Sequence, residues 1–464
     1  MEDYEVRGYQ LEGALFLASR QVALLADEPG VGKTFQAIAA TEVAQCERIL
    51  VLCPTIARFH WLRQFEEYAS TERTYSILLE SNNVRRSTGG IICSYDLAIR
   101  KKVRTCLLSE PWDVVICDEA HALSNPESQR SCLVWGELAQ RTRRMWCLSG
   151  TPARNNISEL WPVLNAAGLW AKGKQAFIDE FCTVKWTLYG DKITGTKPEK
   201  VKDVKQLLEQ VMLRRYVEDV MHELPAITHS MYQIEAAPVD LQQWYSKITV
   251  GVQTEEQLYD EIAAETRATE ALVNLLKDTP SDAAIALGSL QNSTTQSRRY
   301  TGLSKVPPIV EIIKHELLSN QYPKIVLFAW HRDVIEFLRL SLAEFSPAVL
   351  HGGQLMTAKD THIRKFQQHP AVRVCIAQIA AAGVAIDLTA ASEVGFVEES
   401  YVPADNAQAV MRVHRFPQKR PVRCRYFCVA NTIDEQVTLI LRRKTADLTR
   451  ILGKQVVPAQ NPFA

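Results

Sequence analysis

Neither sign of charge dominates this sequence: of its 464 residues, 53 are Lys or Arg and 53 are Asp or Glu. No bulk positive charge advertises a nucleic-acid partner, although a neutral chain can still gather its basic residues on one face. No Cys-x-x-Cys pair occurs among the eleven cysteines, which removes the usual zinc and redox signatures. Eleven is also odd, so a closed disulfide framework is not expected, and the chain reads as cytosolic and reduced. Cys424 and Cys428 lie four apart in a strand-like run; buried thiols are the expectation there, and a shared metal is the lesser alternative. The start, Met1-Glu2-Asp3-Tyr4-Glu5, lacks the basic-then-apolar order of a signal peptide. The most apolar later window, Cys375 to Ala391, is broken by Gln378 and Asp387, so no membrane span is expected.

What is present is ordinary globular composition, 47% hydrophobic and 23% charged. At roughly 100–200 residues per domain the length allows about two to four compact units.

Asp27-Glu28-Pro29-Gly30-Val31-Gly32-Lys33-Thr34 follows an apolar run, Val22 to Ala26, and precedes a helical pattern from Phe35 to Ala44. A strand feeding a Gly-rich turn at a helix start suits a phosphate, because backbone N–H groups and the helix dipole both face the anion. Lys33 is placed to neutralise β- and γ-phosphates and Thr34 to hold Mg²⁺. Asp27 stands where such turns usually open with Gly. Upstream, the amide of Gln10 suits the edge of adenine, unless it simply faces solvent. A second apolar run, Asp113 to Cys117, delivers Asp118-Glu119-Ala120-His121 to its carboxyl end, where α/β sheets place their ligands. There Asp118 suits Mg²⁺ through water, Glu119 suits activation of an attacking water, and His121 suits coupling to the other half of the protein. Further strand ends occur at Cys53-Pro54-Thr55, Cys93-Ser94-Tyr95 and Leu148-Ser149-Gly150-Thr151. Small hydroxyl residues at such ends either touch a nucleic-acid backbone or cap the next helix.

From Asn156 to about Asp203 the pattern is helical and aromatic, a helical appendage. A join follows, Leu213-Arg214-Arg215 to Glu223-Leu224-Pro225. Leu241 to Leu276 reads as helix and Asp278 to Tyr300 as a connection. The second half repeats strand–helix alternation, with strands at Lys324–Ala329, Ala348–Leu350, Val372–Ala377, Glu393–Val397 and Arg423–Val429. Such alternation implies parallel sheets flanked by helices. On the predicted helix Asn406–Arg415, Gln408, Arg412 and Arg415 share a face, and two guanidinium groups aimed together suit the charge developing on a γ-phosphate.

Taken in order, Arg7–Gln10, Asp27–Thr34, Leu50–Thr55, Asp118–His121, Ser149–Pro152 and Gln408–Gln418 resemble the motifs of superfamily-two helicase-type motors, and within them the Snf-type (switch/sucrose-nonfermenting) ATPases. Asp27 is what that family carries at the head of its phosphate turn. The Leu213–Pro225 join and the run Ala382–Ala391 look Snf-type, and Glu398-Glu399-Ser400-Tyr401-Val402-Pro403 is most similar to the branch with HepA-related annealing helicases. Three departures stand out: Pro417 where Gly is usual, Tyr401 for Trp, and Ala381-Ala382 before Gly383.

The resemblance implies an α/β protein of two RecA-like lobes with small helical insertions: residues 1–225 with the ATP site (appendage at about 156–212) and residues 226–464 (insertion or connection at about 239–300). It implies ATP and Mg²⁺ as cofactors, with Lys33, Asp118, Glu119, Arg412 and Arg415 catalytic. Gln10, Asp27, Glu28, Pro29, Gly30, Val31, Gly32, Lys33, Thr34, Gly383 and Gln408 would bind ATP, Thr34 and Asp118 would hold the metal, and His121 would couple. Double-stranded DNA is the implied partner, held without sequence preference through its phosphates by Pro54, Thr55, Ser94, Tyr95, Ser149 and Thr151, and by Trp330, His331, Arg332, His351, Gly352 and Gln378. The expected activity is a DNA-stimulated ATPase and duplex translocase in remodelling, repair or protein displacement. An RNA-dependent DEAH helicase and an ATP-gated DNA clamp are the alternatives. No histone-tail reader, zinc finger or nuclease signature is visible. A monomer is expected, with targeting by a protein partner, in the cytoplasm of a prokaryotic or viral host or in a eukaryotic nucleus.

Overall fold

The structure is a computed structural model and describes residues 6–69, 73–79, 89–187, 190–236, 291–382, 386–430 and 432–453. Two compact units divide it. One is built chiefly from residues up to Glu223, and the other from Leu224 to Ala446; the last helix, Ile433–Leu452, passes from the second into the first at Asp447.

The first unit contains α1 (Gly8–Ala18), β1 (Val22–Leu25), α2 (Lys33–Val43), β2 (Ile49–Cys53), α3 (Arg58–Tyr68), β3 (Tyr75–Ile77), β4 (Gly90–Ser94), α4 (Tyr95–Ala98), β5 (Val114–Asp118) and β6 (Met145–Leu148). A two-stranded hairpin, β7 (Cys182–Thr187) with β8 (Gly190–Thr196), and a short β9 (Met212–Leu213) follow. Its main sheet runs β3-β4-β2-β5-β6-β1-β9 with every pairing parallel. Strands β2 and β4 are buried along their whole length, as expected of a parallel sheet covered on both faces.

The expected helical appendage is only partly helical. Ile157–Leu160, Trp161–Ala166, Lys174–Phe181 and Val201–Val211 are helices, but Cys182–Thr187 and Gly190–Thr196 pair as a two-stranded sheet. Thr183, Val184, Trp186, Ile193 and Thr194 supply β-branched and aromatic side chains, which fit a pleated surface better than a helix.

The second unit has β10 (Ile227–Ile234), β11 (Ile325–Ala329), β12 (Ala348–Leu350), β13 (Val374–Gln378), β14 (Glu393–Phe396) and β15 (Val422–Val429), ordered β10-β15-β14-β11-β13-β12, again all parallel. Alternate residues of β11 serve two cores. Ile325, Leu327 and Ala329 pack with Ile309 and Ile313, whereas Val326 and Phe328 pack with Phe396 and Tyr426. The helix Gln291–Leu318 covers part of the stretch expected to be a connection; the helix expected at 241–276 lies outside the described residues.

Cys132 is exposed and Cys106 half-buried, and the other nine cysteines, Cys424 and Cys428 included, are buried and free. Burial pushes the thiols of Cys46 and Cys93 up, to about 11 and about 12. Among the described residues no group of His, Cys, Asp and Glu is arranged to hold a metal ion, and no helix is long and apolar enough to cross a membrane.

Candidate nucleotide site and polymer-facing strand ends

The residues expected to handle phosphate gather, in the first unit, at the carboxyl ends of β1, β5 and β6. Gly30 and Gly32 take φ values of +93° and +91°, and Gly32 caps α2. A Cβ on Gly32 would stand 2.8 Å from Nε2 of Gln10, so the glycine both makes the turn and lets the amide lie against it. Gln10 is 1% exposed, not solvent-facing, and its Oε1 accepts the N–H of Arg7. Lys33 folds onto its own loop, donating to the carbonyls of Asp27 (2.6 Å) and Glu28 (3.1 Å). Burial pulls its ammonium below the usual lysine range, although Glu119, Asp27 and Asp118 oppose that shift.

The join at Leu213–Arg215 braces this loop. Ala26 N–H donates to Leu213 O and Glu28 N–H to Arg215 O, continuing the pairing of β9 with β1. Arg214 donates to the carbonyls of Ala26 (3.0 Å) and Gly150 (3.3 Å), tying the phosphate loop to the Ser149-Gly150-Thr151 turn. Glu28 receives the N–H of Val217, and burial raises its carboxyl above the usual range.

Asp118 ends β5 with both carboxylate oxygens engaged. Oδ1 accepts the N–H of Glu119 at 3.0 Å, and Oδ2 accepts the indole N–H of Trp61 at 2.8 Å. Burial first, then the neighbouring Glu119, pushes Asp118 up to about 6, against the pull of Trp61 and Lys33. Glu119 sits at φ +50°, a left-handed conformation that costs a non-glycine residue about 1–3 kcal/mol and is concentrated at functional sites. Nδ1 of His121 lies 3.3 Å from Oε2 of Glu119 and 3.3 Å from Oγ of Ser149. The imidazole thus joins the two acidic residues' loop to the β6 turn within this unit. Hydroxyl of Thr34 and carboxylate of Asp118 are hard oxygen donors of the kind Mg²⁺ takes.

Several hydroxyls expected at a polymer surface turn inward. Ser94 is buried and accepts the N–H of Leu97 as the cap of α4. Tyr95 is buried and its hydroxyl donates to the carbonyl of Asp118 at 2.8 Å. Ser149 is fully buried and accepts the N–H of Thr151. Thr55 is exposed, while Pro54 and Thr151 are half-buried.

In the second unit one amide binds three strand ends. Gln378 donates to the carbonyl of Trp330 (3.1 Å) and accepts the N–H of Gly352 (3.0 Å), so the ends of β11, β12 and β13 converge. Arg332 lies over Gly353, where a Cβ would stand 2.7 Å from its Nη2. Burial, then Arg332 and Lys359, pull the His351 imidazole below its usual range. His331 is buried instead of facing outward: its Nδ1 is 2.5 Å from Glu398, whose other oxygen accepts the N–H groups of Trp330 and His331. Burial would raise Glu398, but His331 and Arg298 outweigh it and hold the carboxyl down, at about 2. Tyr401 is buried with the Arg298 guanidinium 4.2 Å over its ring, a use for the aromatic that stands in place of Trp.

The expected arginine helix ends early. It spans Pro403–Val410, so Gln408 is helical while Arg412 and Arg415 lie in the turns beyond. The N–H groups of Arg412 and Val413 reach back only three residues, and Leu388 N–H takes the carbonyl of Arg412. Gln418 then fixes the turn, donating to the carbonyls of Thr389, Ala391 and Val413. Pro417 therefore follows the helix end by several residues and does not set it. His414 is buried and donates to Pro225 O. Arg412 is buried, Arg415 is half-buried, and Gly383 lies outside the described residues.

The contacts made by Trp61, Arg215, Gln418 and Glu398 are not assigned by the sequence. A Trp in an apolar helix face reads as packing, yet a buried indole N–H usually finds an acceptor.

Residues 9–282 match the family described as SNF2-related domain, and residues 308–417 match the helicase conserved C-terminal domain. The chain is 26% identical over 453 residues to the human DNA annealing helicase and endonuclease ZRANB3, and 24% identical over 453 residues to its mouse counterpart. It is 27% identical over 467 residues to the Xenopus tropicalis SWI/SNF-related matrix-associated actin-dependent regulator of chromatin subfamily A-like protein 1. These alignments cover 94%, 94% and 96% of this chain but 39%, 40% and 44% of the relatives, so the chain spans about two fifths of their length. Among solved structures, the Sulfolobus solfataricus SWI2/SNF2 ATPase core in complex with dsDNA is similar, with TM-score 0.44 and 20% identity over 97% of this chain and 94% of that one.

Proposed function

This chain belongs to the SNF2-related family, and from that premise we propose that it is a DNA-stimulated motor that moves along duplex DNA in remodelling, repair or protein displacement. It is an α/β protein of two RecA-like lobes and an ATP hydrolase. The observation that carries the proposal is the convergence of Lys33, Asp118 and Glu119 at the carboxyl ends of the strands in the first unit, with Trp330, Gly352 and Gln378 gathered at the carboxyl ends of β11, β12 and β13 in the second.

In this reading Gln10 orients the base and the Asp27–Thr34 loop wraps the phosphates through its backbone N–H groups. Lys33 exchanges the carbonyls of Asp27 and Glu28 for phosphate oxygens. Mg²⁺, held by Thr34 and Asp118, neutralises phosphate charge when bound. Glu119 takes the proton of the attacking water, its strained backbone fixing the carboxylate's aim. Arg412 and Arg415 supply positive charge to the transferring phosphate from the second unit, their turn held by Gln418 rather than by a helix face. Thr55 and Pro54 in one unit, and Trp330, Arg332, His351 and Gly352 in the other, face the phosphate backbone of duplex DNA, and a protein partner directs the motor to its target.

The test is steady-state ATP turnover without polymer and with duplex, single-stranded, forked DNA or RNA, at two salt concentrations. Duplex stimulation that fades with salt is expected, because phosphate contacts release counterions. Stimulation by RNA alone, or by no polymer, would overturn the proposal.

A further inference from the structure

Two segments of the first unit that run on from strand ends are hydrogen-bonded to one residue of the hydrolytic site. The turn Thr55–Ala57 opens at the end of β2 and leads straight into α3, where Trp61 lies fully buried. Its indole N–H, which can only donate, is spent on Oδ2 of Asp118 at 2.8 Å. The end of β4 leads into α4, and Tyr95 at its start donates its hydroxyl to the backbone carbonyl of the same Asp118 at 2.8 Å. One contact sets the carboxylate's rotation and the other sets the height of its main chain. Both side chains are buried. Trp61 is further wedged against Phe65, at 5.8 Å between ring centroids, and Phe65 stacks on Tyr75 at 4.1 Å. Movement of α3 is therefore movement of the donor that aims Asp118.

We propose that Trp61 and Tyr95 are positioning residues that transmit polymer binding at the end of β2 to the carboxylate of Asp118, so that duplex binding, and not ATP binding alone, sets its aim. The inference rests on the reading of Pro54 and Thr55 as phosphate contacts. A duplex strand engaging the exposed Thr55 loads the start of α3 directly. Tyr95 holds the backbone of Asp118 so that the load turns the carboxylate instead of displacing the strand.

Trp61→Phe deletes the N–H while leaving an aromatic ring against Phe65, and Tyr95→Phe deletes only the hydroxyl. Three quantities are measured on the full chain: the ratio of duplex-saturated to DNA-free turnover, duplex affinity by fluorescence anisotropy, and the gain in ADP affinity that Mg²⁺ produces over EDTA by calorimetry. Loss of a partner that orients a metal-binding carboxylate typically costs about 10–100-fold. The turnover ratio is expected to fall by about that factor in each variant, with duplex affinity within about twofold of wild type and a reduced Mg²⁺-dependent gain for Trp61→Phe. Equal loss of stimulated and unstimulated turnover, leaving the ratio intact, would make both residues mere packing and overturn the inference. A wild-type chain that no duplex stimulates would instead overturn the functional reading, and the coupling with it. Should Trp61→Phe fail to fold by circular dichroism, the ratio in Tyr95→Phe decides.

Discussion

Arg215 encloses the carboxylate of Asp27. Its backbone N–H and Nε donate to Oδ1 at 3.0 and 3.1 Å, and Nη2 donates to Oδ2 at 2.6 Å, while Gln36 adds a further donor at 3.1 Å. Asp27 is fully buried, so its charge is tolerable only with these partners. This explains how an acid can head this loop: it is neutralised from behind by Arg215 of the join, while its carbonyl accepts the Lys33 ammonium.

Removing one half of that pair leaves an uncompensated buried charge. Arg215→Gln is expected to cost about 3–5 kcal/mol, read as a lower urea midpoint. Asp27→Asn together with Arg215→Gln is expected to recover part of the loss. A double variant no more stable than Arg215→Gln alone would show that the charge pair is not what matters.

Glu119→Gln keeps the size and the left-handed backbone while removing the base. ATP affinity is expected to stay within a few fold and turnover to fall by about 10²–10⁴, measured by calorimetry and phosphate release. Hydrolysis at the wild-type rate would remove Glu119 from the base's role.

Acid should silence the enzyme before it unfolds it. Asp118 is raised to about 6 by burial and by Glu119. Below that pH it is protonated in the folded chain and loses the charge that Mg²⁺ needs, so kcat/KM is expected to drop as pH falls through about 6. The same raised value works in the opposite direction on stability: the folded state binds this proton more tightly than the unfolded one, so this group's contribution favours folding as pH falls from about 6 toward its ordinary range. A pH profile flat between 5 and 7 (both ~1 unit from the raised value) would contradict the assignment.

Arg415→Ala is expected to leave nucleotide affinity nearly intact and to lower duplex-stimulated turnover by about 10³ or more, the scale of an arginine finger. Single-turnover phosphate release is the measurement. An unchanged rate would take Arg415 out of the site.

Glu398→Gln replaces an acceptor of two backbone N–H groups and the His331 ring with a neutral amide. A loss of about 3–5 kcal/mol is expected from breaking the buried pair, read by urea unfolding. With its carboxyl held at about 2, the stabilisation by Glu398 is complete above its ordinary range and is lost as pH falls toward 2, so wild type and variant should converge only in strong acid.

The parallel sheets were legible because strands buried on both faces are short unbroken apolar runs, as Ile49–Cys53 and Ile325–Ala329 are. The tight turn into α2 was legible because glycines stand at the two positions, Gly30 and Gly32, that take positive φ. Strand β10, Ile-Thr-His-Ser-Met-Tyr-Gln-Ile, was missed because it is a mostly half-buried edge whose only sheet partner is β15, almost two hundred residues away. Shorter separations, 23 residues for Tyr95 and 67 for His331, were enough to hide the direction of those two side chains. A hydroxyl or imidazole at a strand end looks outward in sequence until its partner arrives from another segment, as Asp118 does for Tyr95 and Glu398 for His331. The arginine turn was misread for a different reason. Helical spacing continues through Arg415, but Leu388 takes the carbonyl of Arg412 and Gln418 takes that of Val413, so the backbone partners that would extend the helix are already engaged.

The distribution of thiols gives experimenters a handle that needs no engineering. With nine cysteines in the interior and Cys106 half-covered, Cys132 is the one sulfhydryl standing in solvent, at the start of the helix Cys132–Leu138 and remote in sequence from both the Asp27–Thr34 loop and the arginines. A maleimide dye offered at limiting stoichiometry should mark the first unit at that point. A second dye on an introduced surface cysteine of the other unit would then report distance changes in real time during turnover, in the native chain's own background.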